Sequence, residues 1–138
     1  MSPLDKVIVG MAAEKNVTVT PEMTVGHVVP GMPAVYSTPM MILHMEMASG
    51  SAIAPFLPAA CVSVGMAVNV RHLAATPVGR TVRAIARVAR VEGKSILFEV
   101  EAWDGGRKIG DGTHRRGLVN VAEFEKRFGV TTAKVTTA

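Results

Sequence analysis

Glu46 is the residue best suited to acid–base or nucleophilic chemistry in this chain. It is the one formal charge in the run Met40-Met-Ile-Leu-His-Met-Glu-Met-Ala-Ser-Gly-Ser-Ala-Ile-Ala54. A carboxylate is costly to bury alone, and glutamates are rarely buried unless paired. Glu46 therefore either sits at a flank reaching solvent or an arginine, or is a functional carboxylate with a raised pKa, poised as base or nucleophile. His72 closes the apolar face of a strand, just before Ala74-Ala75-Thr76-Pro77. A lone histidine there is more often structural than catalytic. Thr38, taken alone, reads as a helix cap. His44 lies two positions from Glu46, about 160° around a helix, so the two cannot share a face and His44 reads as structural.

Other chemistries lack their residues. The four histidines, His27, His44, His72 and His114, show no metal-ligand spacing, so no metal or other cofactor is expected. No phosphate loop or dinucleotide fingerprint is present. The single cysteine, Cys61, excludes an intramolecular disulfide and reads as a small core residue. Five of the nine methionines fall between Met32 and Met47, as core filling or as an adaptable acyl pocket. The charge of +4 comes from 15 Lys+Arg against 11 Asp+Glu, and no basic run is interleaved with aromatics, which argues against a nucleic-acid partner. Arg80, Arg83, Arg87 and Arg90 alternate with small apolar residues as a solvated strand face would. The start of the chain lacks an export signal, and Thr38–Val70 is broken by Gly50, Pro55, Pro58 and Gly65. A cytoplasmic protein without membrane partners is expected.

The elements that must position these residues follow from periodicity. At 138 residues, 49% apolar and 19% charged, the chain suits one domain with a real core. Residues 1–130 are expected to form it, with 131–138 as a frayed, disordered tail. Val17 and Val19 suggest a first strand ended by Pro21. Ser37-Thr38-Pro39 starts a helix running to Ala54, about 24 Å long. With almost no polar face, it should be buried on most sides. Alternation then places Val62, Val64, Met66, Val68, Val70 and His72 on one face of a long strand. Further strands follow over Thr81–Val91, Lys94–Trp103 and Arg107 to about Val121, with a short terminal helix over Val121–Phe128. Tight turns predict antiparallel neighbours. The expected class is α+β, with a long antiparallel sheet curled around an apolar helix. Open sheet edges predict at least a homodimer with clefts at the protomer boundary.

Several stretches carry a resemblance. They are Ser37-Thr38, Leu43-His44-Met45-Glu46, Val70-Arg71-His72-Leu73-Ala74-Ala75-Thr76-Pro77-Val78-Gly79, Val91-Glu92-Gly93, Ala102-Trp103-Asp104-Gly105 and Ile109-Gly110-Asp111-Gly112-Thr113-His114-Arg115-Arg116. Together with the element order they resemble the hotdog-fold thioesterases of the fluoroacetyl-CoA type, from about residue 15 to 128. The resemblance implies a hotdog fold and hydrolysis of a small-acyl CoA thioester. It implies a catalytic group of Thr38, Glu46 and His72, a backbone N–H at Gly65 offered to the thioester carbonyl, and substrate contacts by Arg116. The fluoroacetyl-specific type has a phenylalanine gate before the helix. Met32 stands at that position here, so the resemblance carries the thioesterase chemistry rather than the fluoroacetate specialisation.

The residue chemistry agrees. A thioester carbonyl needs an oxyanion donor, Glu46 can be base or nucleophile, and His72 can carry protons. Thr38 and Glu46 are eight positions apart, about 80° around a helix and roughly 12 Å along it. They can border one cleft but need a bent helix start or another element to reach one carbonyl. First attack by Thr38, Glu46 or water stays open. The alternative function is a hotdog domain that binds acyl-CoA without turning it over; a hydratase lacks its Asp/His pair here.

Overall fold

Ser37 caps the central helix: its hydroxyl accepts the Met40 N–H at 3.3 Å, and Pro39 follows inside the first turn. The computed structural model, which describes residues 2–134, runs this helix, α2, over Thr38–Ile53. Thr38 is thus the first helical residue rather than the cap, and its hydroxyl is left for other work. A one-turn helix, α1 (Val25–Val28), precedes it, and α3 (Val121–Phe128) ends the fold. Residues 131–134 carry no regular structure, and 135–138 of the expected tail lie outside the described residues.

The strands β1 (Ala12–Thr18), β2 (Cys61–His72), β3 (Thr81–Glu92), β4 (Ser95–Asp104) and β5 (Arg107–Asn120) form one antiparallel sheet in the order β1-β3-β4-β5-β2. This is the hotdog arrangement. Val82, Ala84, Ala86 and Val88 of β3 and Ile96, Phe98, Val100 and Ala102 of β4 are all buried, as are Met41, Met45, Ala48 and Ala52 of α2. Each of the two methionines contributes about 1.5–3 kcal/mol by leaving water. Small residues on the sheet make room for the helix: a Cβ on Gly110 would stand 2.5 Å from Met41 Sδ.

Four expectations are corrected. β1 begins at Ala12, well before Val17, because polar residues are tolerated on an edge strand paired only with β3. The turn after β2 does not make a hairpin. β2 pairs with β5 at one edge while β3 pairs with β1 near the other. The link between them crosses the entry to α2, with Tyr36 N–H donating to Thr76 O at 2.8 Å and Leu73 N–H to Ile109 O at 2.7 Å. That crossing carries the end of β2 to the start of α2.

The third correction concerns strand parity. The β2–β5 register shifts between Gly65 and Ala67, leaving Met66 as the extra residue of a bulge. Before it, Ser63 and Gly65 face the helix; after it, Val68, Val70 and His72 do, opposite His114, Gly112 and Gly110. Val62, Val64 and Met66 therefore lie on the outer face, against the expected single stripe. A similar shift between Val88 and Arg90 keeps Arg83, Arg87 and Arg90 all outside and exposed.

Finally, α2 is covered on one side only. Leu43 and Met47 are 45% and 42% exposed, beside an open β2 edge with Val68 at 41%. The polar face is missing, as expected, but the apolar flank faces outward in the single chain.

Candidate active site

The crossing after β2 makes the first of two side-chain groups. Thr38 Oγ1 lies 2.8 Å from His72 Nδ1, joining the first turn of α2 to the last residue of β2. Tyr36 packs behind them, 1% exposed, its ring edge-on to His72 at 6.4 Å between centroids. Its hydroxyl is hydrogen-bonded to Nδ1 of buried His44. Burial raises the Tyr36 phenol well above its usual value, so it stays protonated. Burial also lowers both His72 and His44, favouring neutral rings. An open cleft of about 370 Å³ is lined by Thr38 and His72 with Val25, Val35, Leu73 and Ala74, and His72 Nε2 is buried with no hydrogen-bond partner.

The second group sits two turns further along α2. Glu46 Oε2 lies 3.7 Å from Arg116 Nη1, with the Glu46 side chain 36% exposed and that of Arg116 12%. Arg116 is held on every side. Its Nε donates to Ser63 Oγ and its Nη2 to Ser63 O, both at 2.8 Å, and Nη1 stands 3.2 Å from His114 Nε2. Its guanidinium passes over Gly50, where a Cβ would be 3.6 Å from Nη2. Gly65 forms the opposite wall: a Cβ there would stand 3.1 Å from Glu46 Oε2 and 3.3 Å from His114 Cε1. Only a glycine lets the Glu46 carboxylate come this close to the β2 backbone without crowding.

The fold thus brings Thr38 to His72, and Glu46 to Gly65 and Arg116. Among the described residues no hydrogen bond or ion pair joins the two groups, as expected for positions roughly 12 Å apart along a regular helix. Met32 is 48% exposed on the preceding turn and does not line the Thr38–His72 cleft. Glu46 does reach an arginine and partial solvent. That satisfies the flank reading of its charge and also leaves the carboxylate accessible for chemistry. Among the described residues no cluster of three or more His, Cys, Asp or Glu could hold a metal, and no helix is long and apolar enough to cross a membrane.

Comparison with known proteins bears on this arrangement. Residues 19–122 match the family model described as fluoroacetyl-CoA-specific thioesterase. The chain belongs to that family. The fluoroacetyl-CoA thioesterase of Streptantibioticus cattleyicolor is 36% identical over 89% of this chain and 93% of its own. A solved structure of a fluoroacetyl-CoA thioesterase superposes with a TM-score of 0.85 at 36% identity, covering 94% of this chain and all of that one. A Thermus thermophilus protein described as a thioesterase superfamily member gives 0.84 at 36% identity, over 91% and 93% of the two chains.

Within this thioesterase frame, sequence reasoning missed Tyr36, Ser63 and His114. Tyr36 gave no signal beyond being the single tyrosine. His114 did: it stands two residues from Arg116 on one strand, so both side chains share the inner face.

Proposed function

We propose that this chain hydrolyses a small-acyl CoA thioester, using Thr38, Glu46 and His72, and that it does so as a homodimer. The observation that carries the reading is the Glu46 carboxylate set against Gly65 with Arg116 behind it. A negative oxygen beside bare backbone suits activation of the attacking oxygen next to a thioester carbonyl. A Gly65 N–H would receive the carbonyl oxygen as it gains charge. Neutral His72, oriented by Thr38, would carry the proton to the leaving sulfur. Overall, water adds across the C–S bond: its oxygen joins the acyl carbon, and a proton ends on the thiol of CoA.

The dimer follows from the separation of the two groups. One rigid helix cannot bring Thr38 and Glu46 to one carbonyl. β2, however, carries Gly65 and His72 seven residues apart on an open edge, roughly 20 Å along the strand. Antiparallel pairing of two β2 edges about a twofold axis would set Gly65 of one protomer beside the partner's His72. It would also cover Leu43, Met47 and Val68. Each cleft would then combine the Thr38–His72 pair of one protomer with the Glu46 group of the other.

Thiol release from acetyl-, propionyl- and butyryl-CoA tests the hydrolysis; saturable binding without release would support the binding-only alternative. Mixing Glu46→Gln and His72→Ala protomers tests the shared cleft. Two inactive variants should regain about a quarter of wild-type activity on exchange, since half the dimers hold one intact site of two. No recovery, with exchange verified, would place each site within one protomer.

A further inference from the structure

The proposed chemistry leaves two buried histidines, His44 and His114, without a role, and His114 is the one beside the Glu46 group. His114 is 2% exposed and faces inward from β5 beside Phe98, with ring centroids 6.4 Å apart. Its Nδ1 lies 2.9 Å from Ala67 O, and its Nε2 lies 3.2 Å from Arg116 Nη1. A carbonyl oxygen only accepts and a guanidinium only donates. The two contacts therefore select one neutral tautomer. Nδ1–H donates to Ala67, and bare Nε2 accepts from Arg116. Protonation would remove the acceptor and set two like charges together. Burial acts in the same direction, holding the ring below its ordinary pKa.

Both contacts end on parts of the Glu46 group. Ala67 is where pairing resumes after the β2 bulge, and that bulge ends the stretch holding Gly65 against Glu46. Arg116 Nη1 is the nitrogen nearest Glu46 Oε2. Ser63 already fixes Nε and Nη2, so His114 supplies the remaining restraint on the guanidinium. The charged groups facing the ring are Glu46 from α2 and Arg116 from β5. β4 presents Phe98, and β2 presents Gly65 and the Ala67 carbonyl.

We propose that His114 is a positioning residue: as the neutral Nδ1–H tautomer it pins the β2 bulge with one nitrogen and Arg116 with the other, fixing the cradle in which Glu46 and Gly65 face each other. This rests on the reading that the Glu46 group hydrolyses thioesters.

Two amide variants separate the contacts. His114→Asn keeps a donor near the Nδ1 position for Ala67 and loses the partner of Arg116. His114→Gln keeps an acceptor near Nε2 and loses the donor, and His114→Ala loses both. The alanine variant should lose about a hundredfold in kcat with KM little changed, as a misplaced group does, and each amide should recover part of that loss. Wild-type kcat in the alanine variant, or a loss falling wholly in KM, would overturn the proposal. The wild-type protein gives a test independent of activity and of variant folding. Imidazole ¹⁵N NMR at neutral pH should show His114 protonated at Nδ1 and bare at Nε2. An Nε2–H or doubly protonated ring would overturn the proposal. The expected ring with no thioester hydrolysis would count against the functional reading alone.

Discussion

A half-exposed methionine at position 32 makes a poor gate, and this bears on substrate choice. Met is unbranched, with three rotatable bonds, and fills irregular gaps rather than holding a wall. One methylene against an apolar wall is worth about 1–3 kcal/mol in any case. kcat/KM for fluoroacetyl-CoA should therefore exceed that for acetyl-CoA by less than about a thousandfold, some 4 kcal/mol. A larger preference would mean that selectivity does not depend on an aromatic residue at this position. At this scale the sequence was partly legible. Glu46 stood out because its helix has no other charge, and His72 because it closes a strand. Neither residue's partner could be read from spacing: Arg116 and Thr38 reach them from distant elements. The role of His114 depends on which nitrogen meets which neighbour, and no periodicity carries that.

Elements were more legible than their connections. Proline and a hydroxyl residue marked the start of α2 to within one position, and the hairpins β3–β4 and β4–β5 followed from Glu92-Gly93 and Asp104-Gly105-Gly106. The link from β2 to β3 was not legible, because a turn such as Thr76-Pro77-Val78-Gly79 looks alike in a hairpin and in a crossover. The bulge at Met66 also escaped, since one extra residue reverses parity without changing composition. Close backbone contact around the second half of β2 gives a stability prediction. A Cβ on Gly112, at φ +153°, would stand 2.1 Å from Asn69 O and 2.6 Å from Val70 Cα. Backbone cannot step aside as a flexible side chain does, so Gly112→Ala should cost at least about 1–3 kcal/mol. Gly106→Ala, with nothing within 4 Å of its Cβ, should stay within about 0.5 kcal/mol. Urea unfolding of both variants checks the contrast, and equal midpoints would contradict it.

At the scale of the whole molecule, three buried or half-buried histidines link folding to pH. His44, His72 and His114 are all lowered, chiefly by burial. The unfolded chain therefore binds protons that the folded chain refuses once pH falls through about 6.5. Their contribution to stability is fully present above that value and is lost below it. The urea midpoint should fall between pH 7.5 and 5.5, above the range where carboxylates titrate; an unchanged midpoint would mean that these rings protonate without strain in the fold. The most direct test of the central claim is the rate of thiol release from acetyl-CoA by the wild-type protein and by Glu46→Gln, with folding checked by circular dichroism. The wild-type protein should turn over, and the variant, folded alike, should lose more than about tenfold in kcat. A folded variant hydrolysing at the wild-type rate would make Glu46 a flank residue paired with Arg116 and contradict the assignment of the site.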